Sequence, residues 1–119
     1  MENVFVHSIF IPGTLAANHT VTFLAPWDCQ LVHVSGVGSG SNAATLKVGT
    51  SADDDGYITS GNLGVSGTPL EWDQITDFAG VLAGSQFPHI VKGTIVLVTI
   101  TDHVSHAAGV YVALTFSKG

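Results

Sequence analysis

The sequence predicts an all-β chain: an antiparallel two-sheet sandwich of about eight strands, built as one domain over residues 1–119. Three observations lead there. Val, Ile, Thr and Phe recur in short runs, the composition that suits a pleated, half-buried surface. Fourteen glycines punctuate those runs. Within the runs apolar and polar side chains alternate with a period of two, and almost no stretch carries a helical period.

Asn3 to Ile11 forms the first expected strand, with Val4, Val6 and Ser8 on one side and Phe5, His7 and Ile9 on the other. Pro12-Gly13 is expected to end it. Asn18 to Leu24 alternates Val21 and Phe23 against Thr20 and Thr22. After Pro26, Cys29 to Val37 gives a third strand whose inward set is either Leu31 with His33 or Val32 with Val34. Gly36, Gly38 and Gly40 with Ser39 and Ser41 make a loop, and Ala44 to Gly49 resumes as a fourth strand. Asp53-Asp54-Asp55-Gly56 reads as a turn, with glycine supplying a positive φ.

Tyr57 to Thr59 is a short strand, followed by a glycine-punctuated loop over Ser60 to Gly67. Thr68-Pro69-Leu70-Glu71 has two readings. It fits a helix start with proline in the first turn, with Trp72, Ile75 and Phe78 spaced three apart behind it. It also fits an edge strand. Thr94 to Thr101 and Val110 to Phe116 alternate cleanly on either side of a loop at Asp102 to Gly109 and are expected to form a long antiparallel hairpin. Strands of this length, with turn signals every 8–12 residues, suit a sandwich or a jelly roll.

Composition excludes several functions. The chain of 12.3 kDa has mean hydropathy +0.42 and 45% apolar residues, so it has the means to build a core. Charged residues are 10% of the chain, against roughly 25% in an average soluble domain. Three lysines and nine acids must serve a surface on the order of 6,000 Å². A surface that sparse in charge points to self-association or docking. The formal charge of −6 and the lack of arginine argue against nucleic acid and against an anionic membrane. Nothing approaches a membrane span of about 20 apolar residues. No basic segment precedes an apolar one at the N-terminus, so synthesis in the cytoplasm is expected. One cysteine, Cys29, leaves no intrachain disulfide. Asn18-His19-Thr20 matches the glycosylation sequon and is read as a chance match in a cytoplasmic product.

Each chemical motif has a plainer reading that outweighs it. Asp102-His103 to His106 has the density of a metal site, but its two histidines need a third ligand from elsewhere, such as His89 or His33. Asp53 to Asp55 lacks the alternate spacing and distant glutamate of a calcium loop. Asp73 with Asp77, or Glu71 with Asp73, are too close in sequence to straddle a sugar as acid and base. Gly36-Val-Gly38-Ser-Gly40 lacks the following helix of a dinucleotide loop. Cys29 has no activating base, and Ser35 and Ser39 lie in no nucleophile elbow. We therefore expect no catalytic residue, no cofactor and no metal, and expect that the chain is not an enzyme. Trp27 and Trp72 with Tyr57 and Tyr111 offer an alternative, a sugar-stacking platform of a glycan- or receptor-binding module.

Three stretches carry a resemblance. They are Phe23-Leu-Ala-Pro-Trp-Asp-Cys-Gln-Leu-Val-His-Val, then Leu46-Lys-Val-Gly-Thr-Ser-Ala-Asp-Asp-Asp-Gly, and the closing pair formed by Phe87-Pro-His-Ile-Val-Lys-Gly-Thr-Ile-Val-Leu-Val-Thr-Ile and Val110-Tyr-Val-Ala-Leu-Thr-Phe. Together they cover about two-thirds of the chain, and they are patterns of side-chain type. In them the chain resembles the small jelly-roll cement or decoration proteins and head-fibre bases of tailed bacteriophages. The resemblance implies a non-enzymatic virion protein on the capsid surface. It implies a homotrimer, with the major capsid protein as partner. Many such proteins carry an N-terminal arm, whereas here the strand pattern starts near Asn3.

Overall fold

In a computed structural model, which describes residues 4–42, 44–74, 77–78, 87–102 and 106–118, nine strands form two antiparallel sheets. They are β1 (Val4–Thr14), β2 (His19–Leu24), β3 (Cys29–Val37), β4 (Thr45–Thr50), β5 (Ile58–Asn62), β6 (Leu70–Trp72), β7 (His89–Ile90), β8 (Ile95–Thr101) and β9 (Ala108–Lys118). One sheet runs β1-β9-β3-β6, with β7 also paired to β3; the other runs β2-β8-β4-β5. The chain changes sheet at every connection except β4–β5 and β6–β7. That is the order of a jelly roll, in which the pairings are mostly remote in sequence. The expected all-β sandwich is present.

The sheets are held by what they bury between them. Leu31 and Val34 from β3, Val110, Val112, Leu114 and Phe116 from β9, and Val96, Val98 and Ile100 from β8 are fully enclosed with Leu46 and Val48. Strict alternation along β8 and β9 places these side chains inward and their neighbours outward. An aromatic chain closes the β1–β2 side. Trp27 packs edge-on to Phe5, Phe5 stacks on Phe116, Phe116 meets Phe23, and Phe23 stacks on His7. On the opposite side Trp72 lies over Gly61, and Leu63 lies over Gly36; a Cβ at either glycine would overlap them.

Four expectations are corrected. The strands expected to form a closing hairpin exist but are not partners: β8 pairs with β2 and β4, whereas β9 pairs with β1 and β3. Each is central in its own sheet, where its apolar face gains a facing layer that a hairpin edge lacks. Neither inward set proposed for β3 holds. A register shift between Leu31 and His33 reverses the alternation, so Leu31 and Val34 are both buried. Pro12-Gly13 does not end β1, which continues to Thr14 through an irregularity between Ile11 and Thr14. Finally, β5 extends to Asn62, into the segment expected as loop.

Of the two readings at Pro69, the edge strand is realised, with Leu70, Glu71 and Trp72 opposite Gly36, Ser35 and Val34. Ile75 lies outside the described residues. The Asp53 turn forms through Thr50–Asp53 and Asp53–Gly56 backbone hydrogen bonds, without a positive φ at Gly56.

Candidate interaction surface

The jelly-roll order sorts the loops into two ends of the sandwich. At one end β1–β2, β3–β4, β5–β6 and β8–β9 meet, tied by hydrogen bonds such as Leu15 N to Ala107 O (2.7 Å) and Gly38 N to Gly64 O (2.7 Å). Asp102 is the one carboxylate among the described residues of these loops. It pairs with His106 Nδ1 at 2.7 Å, and its backbone N–H donates to Asn18 Oδ1 at 2.8 Å. The other end gathers β2–β3, β4–β5 and β7–β8. It carries Asp28, Asp53, Asp54 and Asp55 with Lys92 and Lys118. Here the Lys92 backbone N–H donates to Asp28 Oδ1 (2.8 Å), and Lys47 Nζ pairs with Asp54 (3.3 Å).

With charge collected in loops, the sheet faces are left almost bare of it. The outer face of the β1-β9-β3-β6 sheet follows from register. Phe10, Tyr111 and Val37 form one row; Ser8, Ala113 and Ser35 form the next; Val6, Thr115 and His33 follow; Val4, Ser117 and Gln30 make the last. No lysine or acid occurs in these rows. Glu71, opposite Ser35 on the edge strand, is held near His33 Nε2 at 3.4 Å. Val6, Phe10 and Tyr111 stand 58%, 62% and 41% exposed. The outer face of the other sheet is threonine-rich, with Thr20, Thr22, Thr99, Thr101 and Thr45 beside an apolar corner at Leu24 and Ile95. Lys47 is its one charge.

Of the residues in the chemical motifs, the structure brings together Asp102 with His106 and Asp53 with Asp54 and Asp55, and it keeps His33 and His89 apart from the first pair. His33 and His89 belong to the β3 side of one sheet, away from the loop end that holds Asp102 and His106, and His103 lies outside the described residues. Asp53, Asp54 and Asp55 do bring carboxylate oxygens within 4.8 Å of one another. The cluster sits on an exposed turn, and the Asp55 carboxyl is pushed up, first by a hydrogen bond to Asp53 and further by repulsion from Asp53 and Asp54. Asp77 accepts from the Asp73 and Gln74 backbone N–H groups at 3.1 and 2.9 Å, so this carboxylate caps its own turn.

Cys29 is buried, and burial followed by the Asp28 charge pushes its thiol up, which disfavours the reactive thiolate. Ser39 Oγ donates to the Ala108 carbonyl at 3.2 Å. The four platform aromatics separate: Trp72 and Tyr57 pack against the core, Tyr111 stands on an outer face, and Trp27 packs on Phe5 with Lys118 Nζ 5.0 Å above its ring. What single-strand reading missed is the face itself. Its residues were legible as the outward half of each alternation, but their adjacency needs the sheet order.

No protein-family model and no curated protein matches the chain. Among solved structures the fold is similar to a chain of the "Cyanophage Pam1 capsid asymmetric unit". The TM-score is 0.58, the likeness covers 98% of this chain and 86% of that chain, and identity is 18%. At that identity the likeness establishes the fold over nearly the whole length.

Proposed function

We propose that this chain is a bacteriophage capsid cement, or decoration, protein: a non-enzymatic homotrimer that binds the outer surface of the major capsid protein lattice and stabilises the head. The observation that carries the reading is the whole-length likeness of its fold to a chain of a cyanophage capsid. The sheet faces, almost bare of charge, support it, because extended β surfaces with little charge suit broad docking better than isolation in water. Synthesis takes place in the host cytoplasm, and the protein acts on the virion.

The physics of such a role asks little of chemistry. A molecule that binds the assembled lattice and not its dissociated parts stabilises the lattice by mass action. Three copies around an axis make docking multivalent, so modest single contacts sum to a durable clamp. The test is a phage lacking this chain. Its particles should release DNA at a lower temperature than wild type, and adding the purified protein should restore the difference. Identical release temperatures with and without the protein would overturn the reading.

A further inference from the structure

We propose that the bond between Asp55 and Gly56 is a site of spontaneous modification, at which the chain converts Asp55 to isoaspartate and lengthens its own backbone by a methylene. The inference stands apart from the function proposed above and requires only water. Its first support is the sequence. Asp55-Gly56 is the only place in the chain where a glycine follows an aspartate or an asparagine. A glycine nitrogen carries no neighbouring Cβ to obstruct its approach to the side-chain carbon of the residue before it. Asp53 and Asp54 are each followed by another aspartate, whose side chain crowds that approach.

The reaction is a condensation followed by a hydrolysis. The Gly56 backbone nitrogen attacks Cγ of Asp55 and gives up its proton. The carboxyl hydroxyl leaves with that proton as water, and a succinimide ring closes. Water then adds to either ring carbonyl. Opening at Cγ restores aspartate; opening at the main-chain carbonyl leaves the chain running through Cγ, which is isoaspartate. Nothing is oxidised or reduced. The hydroxyl has to be present at the start, because a carboxylate would have to expel oxide.

The turn supplies that hydroxyl. Carboxylate oxygens of Asp53, Asp54 and Asp55 lie within 4.8 Å of one another. The Asp55 carboxyl is pushed up first by its hydrogen bond to Asp53, then by partial burial and by repulsion from Asp53 and Asp54. The acid form therefore persists to higher pH than in an isolated aspartate. Asp53 also lies beside the attacking residue, since a Cβ on Gly56 would stand 3.3 Å from Asp53 Oδ2. Asp53 is thus a positioning residue that keeps the Asp55 carboxyl protonated next to the glycine. The Gly56 N–H donates to the Asp53 carbonyl over a long 3.2 Å, so little is lost when the nitrogen turns toward Cγ. Water reaches the bond, with Asp53 and Asp54 exposed and Asp55 and Gly56 partly so.

The consequence falls on the turn between β4 and β5. Its backbone at Asp53 and Asp54 lies directly against Gly49, and the Tyr57 N–H donates to the Val48 carbonyl at 2.9 Å. An added methylene between these two contacts strains both, so the modified chain holds this corner less firmly.

The experiment ages the purified full chain at 37 °C over a series of buffers from pH 5 to pH 8. Isoaspartate is measured by methyl transfer from a protein isoaspartyl methyltransferase and placed by peptide mass spectrometry. Label should accumulate at residue 55 and not at 53 or 54, and more slowly as the pH of the buffer rises. Asp55→Glu should abolish the label and Gly56→Ala should remove most of it, with far-UV circular dichroism confirming that each variant keeps its sheets. In Asp53→Ser the decline with pH should set in at lower pH. Wild type without label at residue 55, or with label spread evenly over the three aspartates, overturns the proposal. An unchanged pH profile in Asp53→Ser overturns the role of Asp53.

Discussion

The imidazole of His7 stacks on the ring of Phe23, with centroids 4.1 Å apart and planes 24° from parallel. His7 is on β1 and Phe23 on β2, the edge strands of opposite sheets, so this pair bridges one open side of the sandwich. Burial holds the His7 pKa below its ordinary value of about 6.5. A depressed folded-state pKa means that the unfolded chain takes up the proton first. The contribution is fully present above about pH 6.5 and is lost as pH falls through the folded value. The melting temperature should drop between pH 7 and pH 5, and His7→Phe, which keeps the stack without the titration, should shrink that drop. An unchanged pH slope in His7→Phe would contradict the assignment.

Two glycines are set by what lies against them. A Cβ at Gly49 would overlap the backbone carbonyl of Asp53, and one at Gly61 would overlap the Trp72 ring. Backbone tied into a hydrogen-bonded turn yields less readily than a half-buried side chain. Gly49→Ala should therefore cost about 2–3 kcal/mol and Gly61→Ala about 1–2 kcal/mol. Urea denaturation measures both, and equal stability of Gly49→Ala and wild type would refute the close approach.

Cys29 should resist thiol reagents in the folded protein. It is 1% exposed, and burial and Asp28 both disfavour its thiolate. Labelling with Ellman's reagent at pH 8 should follow unfolding, rising at least tenfold in rate in denaturant. Because its folded pKa is raised, its stabilising contribution is present below the unfolded thiol value and is lost as pH climbs through the folded one.

Trp27 separates packing from ligand recognition. It touches Phe5 at 5.3 Å between centroids and lies under Lys118 Nζ. Trp27→Ala should lower stability by about 1–2 kcal/mol, from aromatic and cation–π contacts at a partly exposed site. A stability equal to wild type, together with loss of binding on a glycan array, would favour the sugar-stacking alternative.

Strand positions were largely legible because alternation is a local property. His19–Leu24 and Cys29–Val37 lie within a residue of their expected bounds at either end. Pairing was not legible. The loop after Thr101 is as compatible with a hairpin as with a crossing between sheets, and only the packing of Ile100 and Val110 into a shared core decides. The extra residue at Val32 hid the inward set of β3, since a bulge breaks the parity that alternation relies on. The interaction face depends on the same non-local information. Phe10, Tyr111 and Val37 are distant in sequence and become one row only through the order β1-β9-β3.

The most direct measurement is the copy number of this chain in purified virions, by quantitative mass spectrometry against the major capsid protein. A cement protein seated across the lattice should be present in hundreds of copies, in fixed proportion to the capsid subunit. A few copies per particle, or none, would contradict the account.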